Sequence, residues 1–172
     1  MRQLTNIFCS IIIICMTASV VNASFNGGVI YSIPADYSVI NEQELLNKAN
    51  PLYERVLAAN SAEITPEMTE VLNLYTILSN VNPQNQEYVL KLGKLYDVIG
   101  KDRYAKSNFY RSIGIDPQKP EGYFCLGEFY YKREYYRKAL KFYKKASDRG
   151  FNNDEQTISR LNDIYKKLGD KK

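Results

Sequence analysis

The carboxylates of this 172-residue chain come in pairs, Glu42/Glu44, Glu67/Glu70 and Asp154/Glu155, and paired acids are the usual material of general acid and base catalysis. Each pair falls near a predicted helix start, where negative charge complements the macrodipole, so a structural role accounts for it. There is no histidine, which excludes Ser-His and Cys-His nucleophiles and a His-built metal site. Cys9 and Cys15 lie in an amino-terminal apolar segment and Cys125 stands alone downstream. A processed chain therefore has neither a thiolate zinc site nor an internal disulfide. Gly27-Gly28 lacks the lysine and the following helix of a phosphate loop. No cofactor, no metal and no enzyme activity are expected; a carboxylate-only enzyme would need two convergent acids with shifted pKa values in one cleft. Two surfaces remain as functional candidates. One is tyrosine-rich, with Tyr123, Tyr130, Tyr136 and Tyr143 at core spacing and Tyr131 and Tyr135 outside it. The other is the basic run Lys138, Lys141, Lys144, Lys145 and Arg149, whose ordinary role is a solvated helix face.

The first 23 residues differ in character from the rest. Arg2 gives a small positive start, Ile7 to Val21 is apolar, and Val21-Asn22-Ala23 supplies compact residues before a cleavage point. A signal peptide over 1–23 is expected. About 15 apolar residues are short for a bilayer span of about 20, and an uncleaved anchor is the alternative, the one case in which a membrane would hold the chain. Ile14 before Cys15 does not suit lipid attachment. The mature chain, exported to the periplasm or secreted, would carry a net charge of +3 after loss of Arg2 from the formal +4, too mild to argue for nucleic acid. Residues 24–41, with Gly27-Gly28 and Pro34, read as an extended lead-in.

From there the pattern is helical. Asn41 with Glu44 reads as a capping box, and Ile40 with Leu45 as a staple. Pro51 is expected to interrupt that helix at Asn50, with a restart through Leu52, Tyr53, Val56 and Leu57. Thr65-Pro66 opens the next helix. Gly150 ends a late one, and Asn152 with Glu155 caps the last, in which Ile158, Leu161, Ile164, Tyr165 and Leu168 make one apolar stripe.

The stretch 121–146 also dictates where its smallest residues fall. Tyr123, Leu126, Gly127, Tyr130, Ala139, Tyr143 and Ala146 recur upstream at one constant offset as Val89, Leu92, Gly93, Tyr96, Ala105, Phe109 and Ser112, and Asp116-Pro117 closes the earlier unit. Gly127 marks a close approach by a second helix, with Ala139 expected as the facing contact, and the turn is expected near Arg133 to Tyr135. This spacing resembles the tetratricopeptide repeat family, with Val89 replacing its leading aromatic and Phe151 its final proline. The resemblance implies an all-α solenoid of antiparallel helical hairpins: repeats at 86–119 and 120–153, and a capping helix and tail at 154–172. Val71, Tyr75 and Leu78 before Asn82-Pro83 suggest the second helix of a degenerate repeat within 42–84.

The resemblance further implies that first helices line a concave groove holding a peptide or helix of a partner protein. Position by position, that groove consists of Leu90, Lys94, Asp97 and Val98, then Phe124, Glu128, Tyr131 and Lys132, then Ile158, Asn162 and Tyr165 of the terminal helix. The family members that grip a terminal carboxylate use a basic residue and asparagines where this chain has Leu90, Lys94, Cys125 and Glu128. An amphipathic or extended apolar segment is therefore the expected ligand. A non-enzymatic interaction module or scaffold follows, with a self-associating structural subunit as the alternative.

Overall fold

Asn41 fixes the start of the first helix, accepting hydrogen bonds from the backbone N–H groups of Gln43 and Glu44 at 3.1 and 3.3 Å. The computed structural model describes residues 41–151 and 155–169, so the expected signal peptide, lead-in, Ile40 staple and Asn152 cap lie outside the described residues. Helix α1 spans Glu42–Ala59 and ends at Asn60 in the left-handed region. Helix α2, Pro66–Val81, begins where Thr65 accepts from Met68 N–H at 3.1 Å. Helices α3, Gln86–Val98, and α4, Asp102–Ile115, form the second hairpin. Helices α5, Glu121–Lys132, and α6, Tyr136–Ser147, form the third, and α7, Glu155–Gly169, closes the array. Among the described residues there is no strand, and no helix is long and apolar enough to cross a membrane.

Pro51 does not break α1: the helix runs straight through it. A mid-helix proline costs about 3 kcal/mol. The buried residues on either side, Ala49 before it and Leu52, Tyr53 and Val56 after it, belong to one core that a break would split. Local propensity loses to burial here.

The glycines set the hairpin spacing, and the atoms nearest to each belong to a ring, nearer to Gly127 than the expected Ala139. A Cβ on Gly127 would lie 2.7 Å from Cδ1 of Tyr143, and one on Gly93 would lie 2.5 Å from Cε1 of Phe109. Each glycine makes room for a buried ring from the opposite helix, and the small Ala139 is buried as well. The first hairpin has no glycine in either helix. Tyr53 meets Tyr75 edge-on at 5.5 Å, and α1 and α2 pack less closely than the other pairs. Val71, Tyr75 and Leu78 are nevertheless fully buried, so α1 and α2 form the first hairpin of the solenoid.

The turns repeat as well. Gly100 and Glu134, at equivalent places in successive hairpins, both take a left-handed conformation, φ +68° and +62°. The core divides into two clusters, one from α1 to α3 and one from α3 to α7, and Tyr96 packs against both. Helix α3 also touches α5, whereas α4 and α6 meet through side chains such as Tyr110 and Phe142, 6.1 Å apart. The closer approach of the first helices puts them on the inner, concave side.

Candidate functional site

The eleven expected groove residues have three different environments. On α3, Leu90 is buried in the second cluster, Val98 is half-buried against the first, and Lys94 is exposed. Asp97 is held from the next repeat, with Oδ2 accepting from Lys132 Nζ at 2.9 Å. Its Oδ1 lies 2.8 Å from Arg133 Nη1, an ion pair outside hydrogen-bonding direction. Arg133 also donates to Asp102 and stacks 3.7 Å above the Phe129 ring, locking the turn of the third hairpin onto the second. That leaves Lys132 exposed but engaged.

On α5 the corresponding positions are taken up by the chain itself. The Phe124 ring packs against Phe151 at 4.7 Å and Tyr143 at 5.8 Å. Glu128 Oε1 accepts from the Tyr143 hydroxyl at 2.5 Å and from Arg160 Nε of α7 at 3.0 Å. Burial, followed by that carboxylate, pushes the Tyr143 phenol far up, so it stays a donor. The Tyr131 hydroxyl donates to Asp163 of α7, and its ring lies beneath Arg160 and Lys167 at 4.6 and 5.3 Å. The hydrogen bond raises the Tyr131 pKa and holds Asp163 below the ordinary carboxylate range.

Helix α7 does not present a single buried stripe. Ile164 is fully buried and Leu161 and Leu168 half-buried, but Ile158 and Tyr165 remain 49% and 50% exposed, with Asn162 between them in the open. Those three form an outward row at i, i+4 and i+7.

Apart from Leu90, sequence reasoning missed the residues that border the free part of the inner face. An open cleft of about 640 Å³ lies along the starts of α3 and α5, lined by Asn85, Glu87, Leu90, Lys119 and Glu121 among others. Glu87 and Glu121 occupy the same repeat position, three before Leu90 and Phe124, so the repeat register itself could have found them. Beside the cleft, Lys91 pairs with Glu87 at 2.9 Å, donates to Asn50 Oδ1 at 2.9 Å and lies over the rings of Tyr53 and Tyr75. The same Asn50 oxygen accepts from the Tyr75 hydroxyl at 2.7 Å. Cys125 is buried, and burial pushes its thiol up to about 11, so it is held neutral rather than as a nucleophile.

No protein-family model matches the sequence, and no curated protein matches it. Solved structures do match. The Sgt2 TPR domain of Aspergillus fumigatus superposes with TM-score 0.61 at 19% identity, over 74% of this chain and 79% of that one. The type III secretion translocator chaperone SycD of Yersinia enterocolitica superposes with TM-score 0.63 at 15% identity, over 78% and 99%. The first TPR of Spaghetti (RPAP3), bound to the HSP90 peptide SRMEEVD, gives 0.61 at 16%, over 74% and 93%. The chain has the tetratricopeptide-repeat fold. Within that fold the two glycine-bearing hairpins are consecutive, and Gln86 braces the first of them by donating to the buried Ser112 carbonyl at 3.0 Å.

Proposed function

We propose that this chain is a non-enzymatic interaction protein that holds a peptide or helical segment of a partner protein along its concave face, and that it works after export, in the periplasm or outside the cell. The supporting observation is that the inner side of α3, with the adjoining start of α5, borders an open cleft that no described part of the chain fills. Its lining combines an apolar edge at Leu90 with Glu87, Lys119 and Glu121, and the exposed Lys94 stands one turn further along α3. That mixture suits an amphipathic segment offering one apolar side chain flanked by charges of both signs. The peptide held by the Spaghetti domain lends support, since the fold there accommodates a short segment of another protein. In this reading the partner meets the exposed Lys94 and the charged rim of Glu87, Lys119 and Glu121, with Leu90 at the floor of the cleft.

The test is affinity capture from the native compartment, comparing the natural chain with Glu87→Lys combined with Lys94→Glu. The double variant is expected to retain full helicity and lose the partner. Undiminished capture would move the binding surface elsewhere.

A second reading rests on the outward row of α7. Ile158 and Tyr165 are half-exposed at the end of the array, and a second copy could cover them. Light scattering decides this: a mass that rises with concentration and falls to the monomer in Ile158→Asp supports a self-associating subunit, and a constant monomer removes it.

A further inference from the structure

The convex side carries a charge pattern that inner-face binding does not use. Helix α6 holds Arg137, Lys138, Lys141, Lys144 and Lys145 and no acidic residue. At 3.6 residues per turn these five fall within an arc of roughly 120°, opposite the buried Tyr136, Ala139, Tyr143 and Ala146. Helix α4 adds Arg103, Lys106 and Arg111 against one acid, Asp102, which is already paired with Arg133. Among the described residues none of these eight cations forms an ion pair, and all are exposed except the half-buried Lys145. The outer helix of the first hairpin differs, with Glu67 and Glu70 and no cation.

Aromatic rings stand among the charges. Tyr104, Tyr110 and Tyr135 are 44%, 46% and 56% exposed. Tyr110 meets Phe142 edge-on across the gap between α4 and α6, making the two outer faces one continuous surface. Lys138 lies 5.4 and 5.3 Å from the centres of the Tyr130 and Tyr135 rings. Arg137 and Lys138 also occupy the first turn of α6, where the helix dipole disfavours positive charge, so their placement works against the helix unless an anion faces them.

We propose that the convex α4–α6 face docks on an anionic lipid bilayer, leaving the concave face turned away to hold its partner. The face is the outside of a solenoid, whose convexity suits an extended surface rather than an enclosed strand or peptide. Most of its cations are lysines, which act as hydrated point charges toward a headgroup layer without requiring bidentate geometry. Exposed tyrosines add rings with polar tips, the side chains that settle at a membrane–water interface.

The experiment is sedimentation of the full chain with vesicles of phosphatidylcholine alone and of phosphatidylcholine with phosphatidylglycerol, repeated with added salt. Binding to the anionic vesicles in excess of the neutral ones, and its loss in salt, are expected. Lys138→Gln with Lys141→Gln and Lys144→Gln should weaken that excess about a hundredfold, since each basic residue near such a surface contributes about fivefold. The neutral-vesicle baseline, including anything contributed by the apolar run Ile7 to Val21, should be identical in the two chains. Circular dichroism checks that the variant folds. Equal binding to both vesicle types, or an unchanged excess in the triple variant, would overturn the proposal. So would capture of an acidic peptide or a short RNA duplex by a chain that ignores the vesicles.

Discussion

Helices α3 and α5 occupy the same place in successive repeats, yet one matching inner position has opposite fates in the two. At matching positions α3 offers an open Lys94 where α5 has Glu128, clasped by Tyr143 and Arg160. Leu90, although only 8% exposed, lines the cleft, and the half-buried Phe124 packs against Phe151. The difference comes from the next element in the array. Beyond the third hairpin lies α7, whose Arg160 and Asp163 reach back 32 residues to Glu128 and Tyr131, whereas α5 reaches back to α3 at Asp97 and leaves Lys94 open. Repeat register thus identifies the residues that face inward, while the neighbouring element decides whether they stay available.

The hairpin interiors, by contrast, should respond alike, and the largest effect is expected there. Gly127→Leu drives a side chain into Tyr143, and Gly93→Leu into Phe109; each should cost about 3 kcal/mol by overpacking a buried ring. Thermal unfolding of both variants checks the equivalence, and a loss in only one would break it. Next comes the contrast between the faces. Glu128→Ala leaves Arg160 and a buried Tyr143 hydroxyl without their acceptor and should cost about 2 kcal/mol, whereas Lys94→Ala should stay within about 0.5 kcal/mol. Denaturant titration separates the two.

Acid should act on the filled face through Asp163. Asp163 is held below its ordinary value of 3.8 by the Tyr131 hydrogen bond, followed by Lys167. A carboxylate with a lowered folded pKa stabilises fully above that ordinary value, and the contribution disappears as pH falls through the lowered one. Amide NMR should therefore show α7 loosening as acid protonates Asp163, with Asp163→Asn removing that pH step. Simultaneous loosening in both chains would contradict this. The smallest effect concerns the turns. Glu134 adopts the left-handed conformation that Gly100 adopts in the preceding repeat, so Glu134→Gly should raise stability by about 0.5–1 kcal/mol in thermal unfolding.

Whatever repeats was legible in the sequence. The recurring glycine and aromatic positions, the turn near Arg133–Tyr135 and the cap at Thr65 all follow from spacing and local hydrogen bonding. Pro51 misleads because a local penalty is visible in sequence, while the burial of Ala49 and Tyr53 in a single core is not. Size alone points to Ala139 as the residue facing Gly127, but a glycine can equally make room for a large ring. The engagement of Phe124, Glu128 and Tyr131 is hidden because it depends on where α7 docks. Its one trace is charge and hydrogen-bond complementarity at an offset of 32 residues, Glu128 with Arg160 and Tyr131 with Asp163.

A partner segment lying along the inner side of α3 is tested most directly by a photoreactive side chain at Lys94 and, separately, at Tyr165 and Glu70, with irradiation in the native compartment and mass spectrometry of the adducts. A single different protein attached through position 94, and nothing attached through position 70, is the predicted result. An unlabelled position 94 together with a second copy of this chain attached through position 165 would contradict it.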